Sequence, residues 1–312
     1  MLEKIIYILG VAFLFYAGYY LITSIGIFKK RKKVTNNNDD KKNFFAVIVA
    51  ARNEENVIGK LIDSLKKQSY PSEFFDIFVF VNNCTDNTAI EAKKAGAKVI
   101  SCTEKVSTKG EVLKYTFDLF KDNNKIDAYA IFDADNIVHH DFLAKMNDMI
   151  NSGYSVAQGF RDTKNISDNW LTSSYAILYY FQSLFLNESR YNMGRSSFLN
   201  GTGFVIKKEV IDKHGFNPKT VTEDVEFTAM CAINNEKIGF ATDAITYDEQ
   251  TNSFDVSWKQ RKRWSFGTME CLREYFPTLL KKGIKERNFE CFDVGLFYLS
   301  VISHVVFNLL PI

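Results

Sequence analysis

Three absences limit what kind of protein this sequence of 312 residues encodes. Its five cysteines are odd in number, scattered and never spaced Cys-x-x-Cys, which argues against a disulfide framework and a zinc site and fits a reducing compartment. The net charge is only +2, so no nucleic-acid partner is expected. The sequence also has no Walker-type glycine-rich loop and no Ser-His-Asp or Cys-His arrangement, which argues against P-loop phosphate binding and triad hydrolysis.

Long uncharged runs, by contrast, are present at both ends. Ile5 to Phe28 carries no charge, and as a helix this run would be about 36 Å long, enough to cross a bilayer. The basic block Lys29 to Lys33 follows, and there is no small-residue cleavage site, so a transmembrane anchor over residues 1–33 is favoured over a cleaved signal peptide. Because basic flanks stay inside, we expect an anchored plasma-membrane protein whose central part is cytoplasmic.

The second apolar stretch covers residues 291–312. From Phe292 onward its only acidic or basic residues are Asp293 and His304. A buried core helix is the alternative, but the length and the terminal position favour a transmembrane segment or a re-entrant hairpin. Since the sequence stops within the apolar run at Ile312, we expect the natural chain to continue into further membrane segments.

The region between these ends has the pattern of an α/β domain. Residues 34–43 are polar and predict a linker. Residues 44–250 alternate short apolar runs with helical patterns, which predicts a mostly parallel open sheet with flanking helices. Ligands bind such sheets beyond the carboxyl ends of the strands. The predicted strands are Phe44–Ala51, Asp76–Val81, Lys98–Ser101, Ala128–Phe132 and Ser155–Gln158, and the predicted helices are Val57–Gln68, Thr88–Ala95, Glu111–Phe120, Asp141–Asn151 and an aromatic pattern over Asp168–Arg190.

An acidic pair follows one predicted central strand. Asp133 and Asp135 come directly after Ala130-Ile131-Phe132. Residues two apart in an extended segment point the same way, so both carboxylates can face one cation. Hard oxygen ligands suit Mg²⁺ or Mn²⁺, which would neutralise a leaving diphosphate. A solvated turn is the alternative for an isolated Asp-x-Asp, and the strand-end position favours the metal site.

A second acidic cluster, Thr222-Glu223-Asp224, precedes a helical pattern. Thr220 and Glu223 match a capping box, and acids stabilise a first helical turn. However, Glu223, Asp224 and Glu226 together exceed what a helix cap needs. A carboxylate that is ionised and partly desolvated is a plausible general base toward a hydroxyl, so both interpretations stay open.

The third cluster is Gln260-Arg261-Lys262-Arg263-Trp264, within a predicted amphipathic interface region over residues 251–290. Gln260, Arg263 and Trp264 are spaced i, i+3 and i+4 and share one helix face, where they can contact a hydroxyl, diphosphate oxygens and a sugar ring. The alternative is a basic helix lying on anionic lipid, which Lys259, Arg261 and Lys262 support. We expect the helix to do both, with Gln260, Arg263 and Trp264 turned inward.

Smaller signals are less specific. Asn200-Gly201-Thr202-Gly203 offers backbone close to a ligand, or a simple turn. Lys109-Gly110 before a helix can meet phosphate, although such a pair is usually a loop. His139-His140 has no third ligand of matching spacing and is interpreted as surface.

Taken together, these motifs resemble those of membrane-bound family 2 glycosyltransferases of the cellulose synthase and hyaluronan synthase type. The likeness covers roughly Phe44 to Phe276. It rests on AVIVAARNEENVIGKLIDSLKKQSYP, NNCTDNT, KGEVLKY, IFDADN, NGTGF, TEDVEFT, YDEQ and QRKRW in this order. The resemblance implies a GT-A nucleotide-sugar domain that transfers a sugar with inversion at the anomeric carbon.

Residue roles follow from the same resemblance. It implies that the donor nucleotide is held by Ala51, Asn53, Glu54, Asn82, Asp86, Lys109, Asp133, Asp135 and Arg263. It implies that Asp133 and Asp135 bind the metal and that Asp224, with Glu223 beside it, is the base. Gly201, Thr202, Gln260 and Trp264 would contact the acceptor. The sequence departs from the family at Asn82, where an acid that reads the nucleobase is usual, although an amide can still bond a uracil.

The expected activity is therefore transfer from a nucleotide sugar, with UDP-hexose or UDP-N-acetylhexosamine favoured, to a growing polysaccharide or a glycolipid. The expected partners are the donor, a saccharide or lipid acceptor and membrane lipids, with other membrane subunits for export, since the chain has too few membrane segments for a channel. One rival is a single-addition synthase similar to ceramide glucosyltransferase. Another is a catalytically silent membrane scaffold, which the intact Asp133, Asp135 and Asp224 disfavour.

Overall fold

One mixed β-sheet organises the central part of the chain. The computed structural model describes residues 2–31, 34, 41–103 and 106–309. The strands run in the order β3-β2-β1-β4-β7-β6-β8-β5 across the sheet. They are β1 (Phe45–Ala51), β2 (Phe75–Val81), β3 (Lys98–Ser101), β4 (Ala128–Asp133), β5 (Ile137–Val138), β6 (Val156–Thr163), β7 (Phe204–Lys207) and β8 (Ile238–Asp248).

The first half of this sheet agrees with the sequence prediction, and the second half does not. Strands β3, β2, β1 and β4 are parallel neighbours, so their carboxyl ends meet at one edge. Strand β7 then pairs antiparallel with both β4 and β6, and β5 pairs antiparallel with β8, which makes the sheet mixed. The residue pattern of a strand does not show whether its neighbour runs parallel or antiparallel, because side chains alternate between the two faces with a period of two in both kinds of sheet.

The helices largely fall where the sequence predicts them. The predicted helix over Asp168–Arg190 is a continuous helical run that changes to a π-helix at Gln182–Glu188. The α-helices are α1 (Leu2–Ser24), α2 (Ile58–Lys66), α3 (Thr88–Lys94), α4 (Lys109–Leu119), α5 (Phe142–Asn151), α6 (Trp170–Phe181), α7 (Ser189–Asn192), α8 (Lys208–His214), α9 (Glu223–Ile233), α10 (Phe254–Lys285) and α11 (Phe289–Leu309), with short 3₁₀ turns at Ile25–Phe28 and Ser72–Phe74.

Both faces of the sheet are covered, which explains the continuous apolar runs of its central strands. Along β1, Phe45, Val47 and Val49 pack with α2, α3 and α5 on one face. The alternate residues Ala46 and Ile48 pack with α4, α8 and α9 on the other. Burial on both sides fixes the central strands and therefore the positions of the residues at their ends.

The two hydrophobic ends of the sequence are helical, as α1 and α11. Within the described residues, however, no helix is long and apolar enough to cross a membrane, so neither predicted transmembrane span is supported. The two helices are tied to the domain through a buried ion pair in which Arg190 of α7 bonds Asp293 of α11 at 2.8 Å, while the Tyr19 hydroxyl of α1 donates to the same carboxylate.

Parts of the predicted flanks lie outside the described residues. These are Met1, Lys32, Lys33, most of the linker (35–40) and the last three residues (310–312). The end of the linker is described and is fixed, because the buried Asn43 amide donates to Asn147 at 2.8 Å and to Asn151 at 2.8 Å.

Candidate functional site

The acidic pair lies at the carboxyl edge of the parallel strands. Asp133 is the last residue of β4, opposite Ala50 of β1, and both Asp133 and Asp135 are half-buried. The Asp133 backbone N–H donates to the Asn136 side chain at 3.1 Å and to the Thr202 hydroxyl at 3.0 Å. The fully buried Thr202 hydroxyl in turn donates to Asn136. The turn that presents the carboxylates is thus fixed from two directions.

Negative charge is concentrated around Asp135. Burial raises the pKa of its carboxyl, and the neighbouring carboxylates of Asp133, Asp248 and Glu54 raise this pKa further. Such crowding disfavours ionisation without a compensating cation, and carboxylate oxygens are the ligands that Mg²⁺ and Mn²⁺ prefer. The residues present at this edge therefore fit a divalent cation, with Asp133 and Asp135 as the side chains that would hold it.

Lys109, the first residue of α4, supplies positive charge at the same edge. Its ammonium donates to Asp133 and to the Gly201 carbonyl at 2.5 Å, and it lies 3.9 Å from a Glu223 oxygen. Burial alone would lower the pKa of Lys109, but the carboxylates of Asp133 and Glu223 outweigh that effect and raise it. Lys109 is consequently charged and connects the predicted metal site to the Thr222-Glu223-Asp224 segment.

Glu223 and Asp224 begin α9 beside this lysine. Burial raises the pKa of both carboxyls, and Lys109 partly opposes the rise. The Gly201 backbone lies close to Asp224, since a Cβ added to this glycine would be 3.3 Å from Asp224 Oδ2. At Gly201, therefore, a bare backbone faces the predicted base.

The capping-box interpretation of this segment was wrong. The helix begins with Thr222 as its N-cap, without a side-chain capping bond to any described residue. The Thr220 hydroxyl instead contacts the Thr222 carbonyl at 3.4 Å and Cys271 Sγ at 3.4 Å. The helix therefore begins two residues later than the S/T-x-x-E spacing predicted.

The predicted nucleoside wall consists of two strand-end loops bonded to each other. Asn53, in the left-handed conformation (φ 59°), accepts from the Thr85 N–H at 2.8 Å. Asp86 accepts from the Glu55 N–H at 3.1 Å. Bonds from the Thr88 hydroxyl and backbone lower the pKa of Asp86. The loops after β1 and β2 therefore form one unit at the sheet edge.

Three other predicted donor residues belong to this unit. Asn82 is buried at the end of β2, where its N–H donates to the Ala51 carbonyl at 3.2 Å. Burial raises the pKa of the Glu54 carboxyl, and the nearby negative charges of Asp133 and Asp86 raise it further. The structure thus brings Ala51, Asn53, Glu54, Asn82 and Asp86 to the same edge as Asp133, while their contacts with a nucleotide stay predictions.

Sequence reasoning missed a buried network beside the acidic pair. The Arg161 guanidinium of β6 bonds the Asp248 carboxylate, donates to the Asn200 carbonyl at 2.9 Å and stacks 3.9 Å from the centre of the Tyr179 ring. Asp248 is 2% exposed and also accepts from Asn136 at 2.9 Å. The sequence signal was available, because Asp248 lies in the YDEQ motif.

Asn200, in the segment Asn200-Gly201-Thr202-Gly203 that the sequence singled out, joins this network through its carbonyl. It is 6% exposed, and neither polar atom of its amide has a hydrogen-bond partner in the part of the chain that the structure describes. A buried amide without a partner costs free energy, so such a group favours a polar ligand nearby. Its neighbour Gly201 contacts both Asp224 and Lys109, which places Asn200 at the centre of the site.

The Arg161 network leads to a prediction about stability. Arg161→Lys keeps a charge opposite Asp248 but loses the planar stack on Tyr179 and the second branch of the guanidinium that bonds Asn200. We expect the free energy of unfolding to fall by about 1–3 kcal/mol. Chemical denaturation measures this change. Arg273→Lys on the exposed face of α10 is the matched control, and equal stability of the two variants would contradict the role assigned to Arg161.

The third cluster faces inward only in part, because Trp264 and Gln260 turn toward the domain and Arg263 does not. Trp264 packs edge-on against Tyr175, with ring centres 6.2 Å apart, in a small aromatic cluster with Leu171 and Tyr179. Gln260 is half-buried beside it, but Arg263 is exposed. Arg261, which was assigned to a lipid-facing side, instead donates to the Tyr175 hydroxyl at 3.2 Å.

Helix geometry explains this exchange. Successive residues are about 100° apart, so Arg263 lies about 100° from Trp264 around the axis, whereas Arg261 lies only about 60° away on the other side. The inward stripe contains Ser257, Trp264 and Cys271, spaced seven residues apart. The residue spacing predicted that Gln260, Arg263 and Trp264 share one face of α10. Which residue lies at the centre of the inward face depends on the packing of α10 against α6.

A second prediction follows from this arrangement. Trp264→Ala removes the ring that packs on Tyr175 and that is predicted to border the acceptor, so we expect transfer to fall about 10-fold to 100-fold with nucleotide affinity unchanged. Lys262→Ala, at an exposed position two residues away, should have little effect. Side-by-side assays of sugar transfer by the two variants test this prediction. An equal loss of transfer in both would mean that this part of α10 is a lipid-binding surface and does not border the acceptor.

The remaining histidine signal stays at the surface. His139, His140 and Asp141 lie close enough to share an ion, but His140 is exposed and Asp141 already accepts from the Ser69 hydroxyl at 2.7 Å. The sequence interpretation as surface agrees with the exposure of His140, but it overlooked Asp141 as a third possible ligand.

The fold and the acidic edge define a class of protein. A mixed sheet with helices on both faces, and two carboxylates at the end of a central parallel strand, is the architecture of a GT-A nucleotide-sugar transferase domain. Residues 42–267 match the family model described as glycosyltransferase like family 2. The chain therefore belongs to glycosyltransferase family 2.

Sequence relatives agree with this family. The chain is 24% identical over 282 residues to the probable glycosyltransferase YdaM of Bacillus subtilis, covering 82% of this chain and 63% of that protein. It is 26% identical over 241 residues to the beta-monoglucosyldiacylglycerol synthase of Synechocystis sp., covering 72% and 48%. The chain thus spans between about half and two thirds of the length of these relatives.

Solved structures share the fold. The mannosyltransferase PcManGT from Pyrobaculum calidifontis, in complex with GDP-Man and Mn²⁺, superposes with a TM-score of 0.66 at 15% identity, covering 97% of this chain and 87% of that one. S. aureus TarS 1-349 in complex with UDP gives a TM-score of 0.58 at 16% identity, covering 82% and 70%. Glucosyl-3-phosphoglycerate synthase from Mycobacterium tuberculosis, with Mg²⁺ and UDP, gives 0.52 at 17% identity, covering 78% and 85%.

Proposed function

We propose that this protein is an inverting, metal-dependent glycosyltransferase that moves a hexose from a UDP-sugar to a hydroxyl of a membrane lipid acceptor. One observation carries the proposal: Asp133, Asp135, Lys109 and Asp224 converge at the carboxyl edge of the parallel strands. The relatives named as glucosyldiacylglycerol synthases favour the glycolipid alternative over polysaccharide synthesis.

Donor binding uses the acidic edge and its lysine. Asp133 and Asp135 would hold Mg²⁺ or Mn²⁺, which when bound supplies positive charge to the leaving diphosphate. Lys109 brings a fixed ammonium to the same place and orients the Gly201 carbonyl. The bonded loops that carry Asn53 and Asp86 provide a wall for the nucleoside. Solved structures of similar fold contain GDP-Man, UDP or UDP-GlcNAc.

The chemical step uses Asp224 as a general base. Its carboxylate accepts the proton of the acceptor hydroxyl while the hydroxyl oxygen attacks the anomeric carbon and the bond to the diphosphate breaks on the opposite face. Single displacement of this kind inverts the anomeric configuration. Burial raises the pKa of Asp224, which makes the carboxylate a better proton acceptor than an ordinary exposed aspartate.

The acceptor approaches from the side of the aromatic cluster. The half-buried Trp264, supported by the buried Tyr175 ring, supplies an apolar face, and the side-chain amide of Asn200 supplies unpaired polar groups. Outside this cluster, α6 and α10 carry exposed apolar side chains, which are Trp170, Leu178, Phe181, Phe254, Trp258 and Phe266. Exposed apolar surface beside exposed Lys259 and Lys262 fits an anionic lipid interface. This surface supports action at a membrane, and the plasma-membrane location with a cytoplasmic site stays part of the proposal.

A donor panel tests the activity. The purified protein is incubated with UDP-glucose, UDP-galactose, UDP-N-acetylglucosamine and GDP-mannose, each with and without Mn²⁺, in vesicles containing diacylglycerol or with a soluble oligosaccharide. We expect metal-dependent turnover of one UDP-sugar and a glycolipid product whose anomeric configuration is opposite to that of the donor. Turnover only with the oligosaccharide would restore the polysaccharide alternative, and no turnover of any donor would overturn the proposal.

The lipid surface yields a third prediction. Trp258→Ala removes an indole that is 63% exposed on α10, so we expect binding to vesicles with anionic lipid to weaken by about tenfold while the fold is unchanged. Vesicle flotation measures the effect. Arg273→Ala, which removes an exposed side chain elsewhere on α10, is the control, and unchanged flotation of the Trp258 variant would contradict the assignment.

A further inference from the structure

The segment that leads into the predicted base is held by an unusual number of side chains. The Glu226 carboxylate of α9 accepts from the Lys219 N–H at 2.9 Å and from the Thr220 N–H at 2.8 Å. The Glu270 carboxylate of α10 accepts from the next N–H, that of Val221, at 3.2 Å. Three consecutive backbone donors before Thr222 are therefore bonded to carboxylates.

Helix α10 adds further contacts to this segment. The buried hydroxyl of Tyr275 donates to Glu226, and Cys271 contacts the hydroxyls of Thr220 at 3.4 Å and Thr222 at 3.7 Å. Gly267, Glu270, Cys271 and Tyr275 are spaced three, one and four residues apart, which places them on one face of the helix. We call these four residues the α10 bracket.

Gly267 is the tightest contact in the α10 bracket. A Cβ added to it would lie 2.5 Å from both the Cγ2 and the Oγ1 atoms of Thr222 and 2.9 Å from its Cβ. Thr222 is 5% exposed and directly precedes Glu223 and Asp224. The helix backbone thus lies against the residue before the catalytic acids, and only glycine permits this approach.

We propose that the α10 bracket sets the position of Asp224 and that Gly267 is a positioning residue for the reaction. The same helix carries Trp264 one turn earlier, so one rigid element fixes both the aromatic acceptor wall and the base. The distance between a bound acceptor hydroxyl and the Asp224 carboxylate of α9 is then set by contacts with one neighbouring helix, α10. This inference rests on the proposed role of Asp224 as the base.

The test is a double-mutant cycle between Gly267 and Thr222. Gly267→Ala adds a methyl group that must push Thr222 and the following acids away, and a shift of about 1 Å can lower the rate by roughly 10²-fold. We expect kcat for UDP-glucose turnover to fall at least about tenfold, while KM for the donor and the affinity for UDP with Mn²⁺ stay unchanged. Thr222→Ala removes the two atoms that the added methyl group would contact most closely. The double variant should therefore have a kcat several-fold higher than that of Gly267→Ala alone.

The controls separate this inference from simple damage to the fold. Gly59→Ala in α2 adds a methyl group with no described heavy atom within 4 Å, so its kcat should equal that of the wild type. Tyr275→Phe removes only the bond to Glu226 and should lower kcat without changing KM, which keeps the test informative if Gly267→Ala does not fold. Wild-type kcat in Gly267→Ala, or in Tyr275→Phe if Gly267→Ala does not fold, would overturn the inference, and so would a loss that Thr222→Ala does not relieve.

Asp224→Asn, measured in parallel, distinguishes a failure of the proposed base from a failure of the positioning role of the α10 bracket. If Asp224→Asn keeps wild-type transfer, the proposed base fails and this inference fails with it. If Asp224→Asn loses transfer while Gly267→Ala and Tyr275→Phe are normal, the base stands and only the positioning role of the α10 bracket is overturned.

Discussion

Asp224→Asn is expected to lower sugar transfer by roughly 10²–10⁴-fold, because the amide cannot accept the proton of the acceptor hydroxyl. The substitution keeps the shape of the side chain and its contacts beside Gly201. Donor binding should persist, since Asp133, Asp135 and Lys109 are unchanged. The measurement compares transfer, UDP affinity with Mn²⁺ and melting temperature in the variant and the wild type.

The competing role for Asp224 is purely structural. An acid in the first turn of a helix stabilises the helix start, and losing such a residue costs about 0.5–2 kcal/mol. In that case the variant would melt at a lower temperature and its folded fraction would transfer sugar at nearly the normal rate. Normal melting with transfer lost identifies the base, and the reverse result would sink this assignment.

Asp135→Ala is expected to abolish the effect of Mn²⁺ or Mg²⁺ on UDP binding. The wild-type carboxylate lies among Asp133, Asp248 and Glu54, whose combined charge favours a dication. Removing Asp135 takes away one of the two predicted metal ligands, and the attraction between the cation and the diphosphate dominates affinity at such sites. Calorimetric titration of UDP, with and without metal, measures the loss.

A matched acidic control keeps this result specific. Asp63→Ala removes an exposed carboxylate on α2, away from the strand ends, and should leave the metal dependence of UDP binding intact. Metal-sensitive affinity that is equal in the Asp135 variant and the wild type would contradict the predicted metal site, whatever the effect on transfer.

Local pattern was sufficient for most of the helices and for the parallel strands. Predicted strands at Phe44–Ala51 and Lys98–Ser101 agree with β1 and β3 within one residue. Burial on both faces gives β1 a continuous apolar run between polar loops. Strand β7 was missed, since four residues after a glycine turn carry too little pattern to identify. Strand β8 was missed as well, because polar Thr242 and Asp243 interrupt its apolar pattern.

The candidate site likewise contains residues that local pattern predicted and residues that it did not. The Asp133–Asp135 pair was predicted because its spacing and its strand end are both local features. The inward turn of Arg263 was wrong, because the centre of a helix face depends on what packs against it, and α6 takes Trp264 and Arg261. Arg161 was missed, since nothing local connects it with Asp248, which is 87 residues away.

The sequence by itself determined the class of chemistry. The order and spacing of its acidic and basic motifs predicted a family 2 glycosyltransferase, and the family match over residues 42–267 confirms that membership. Tertiary structure alone decided which groups meet: Lys109 with Asp133, Gly201 with Asp224, and Gly267 with Thr222. The reason is physical, because motif spacing is fixed by the covalent chain, whereas contacts between distant residues are fixed by the packing of helices on a sheet.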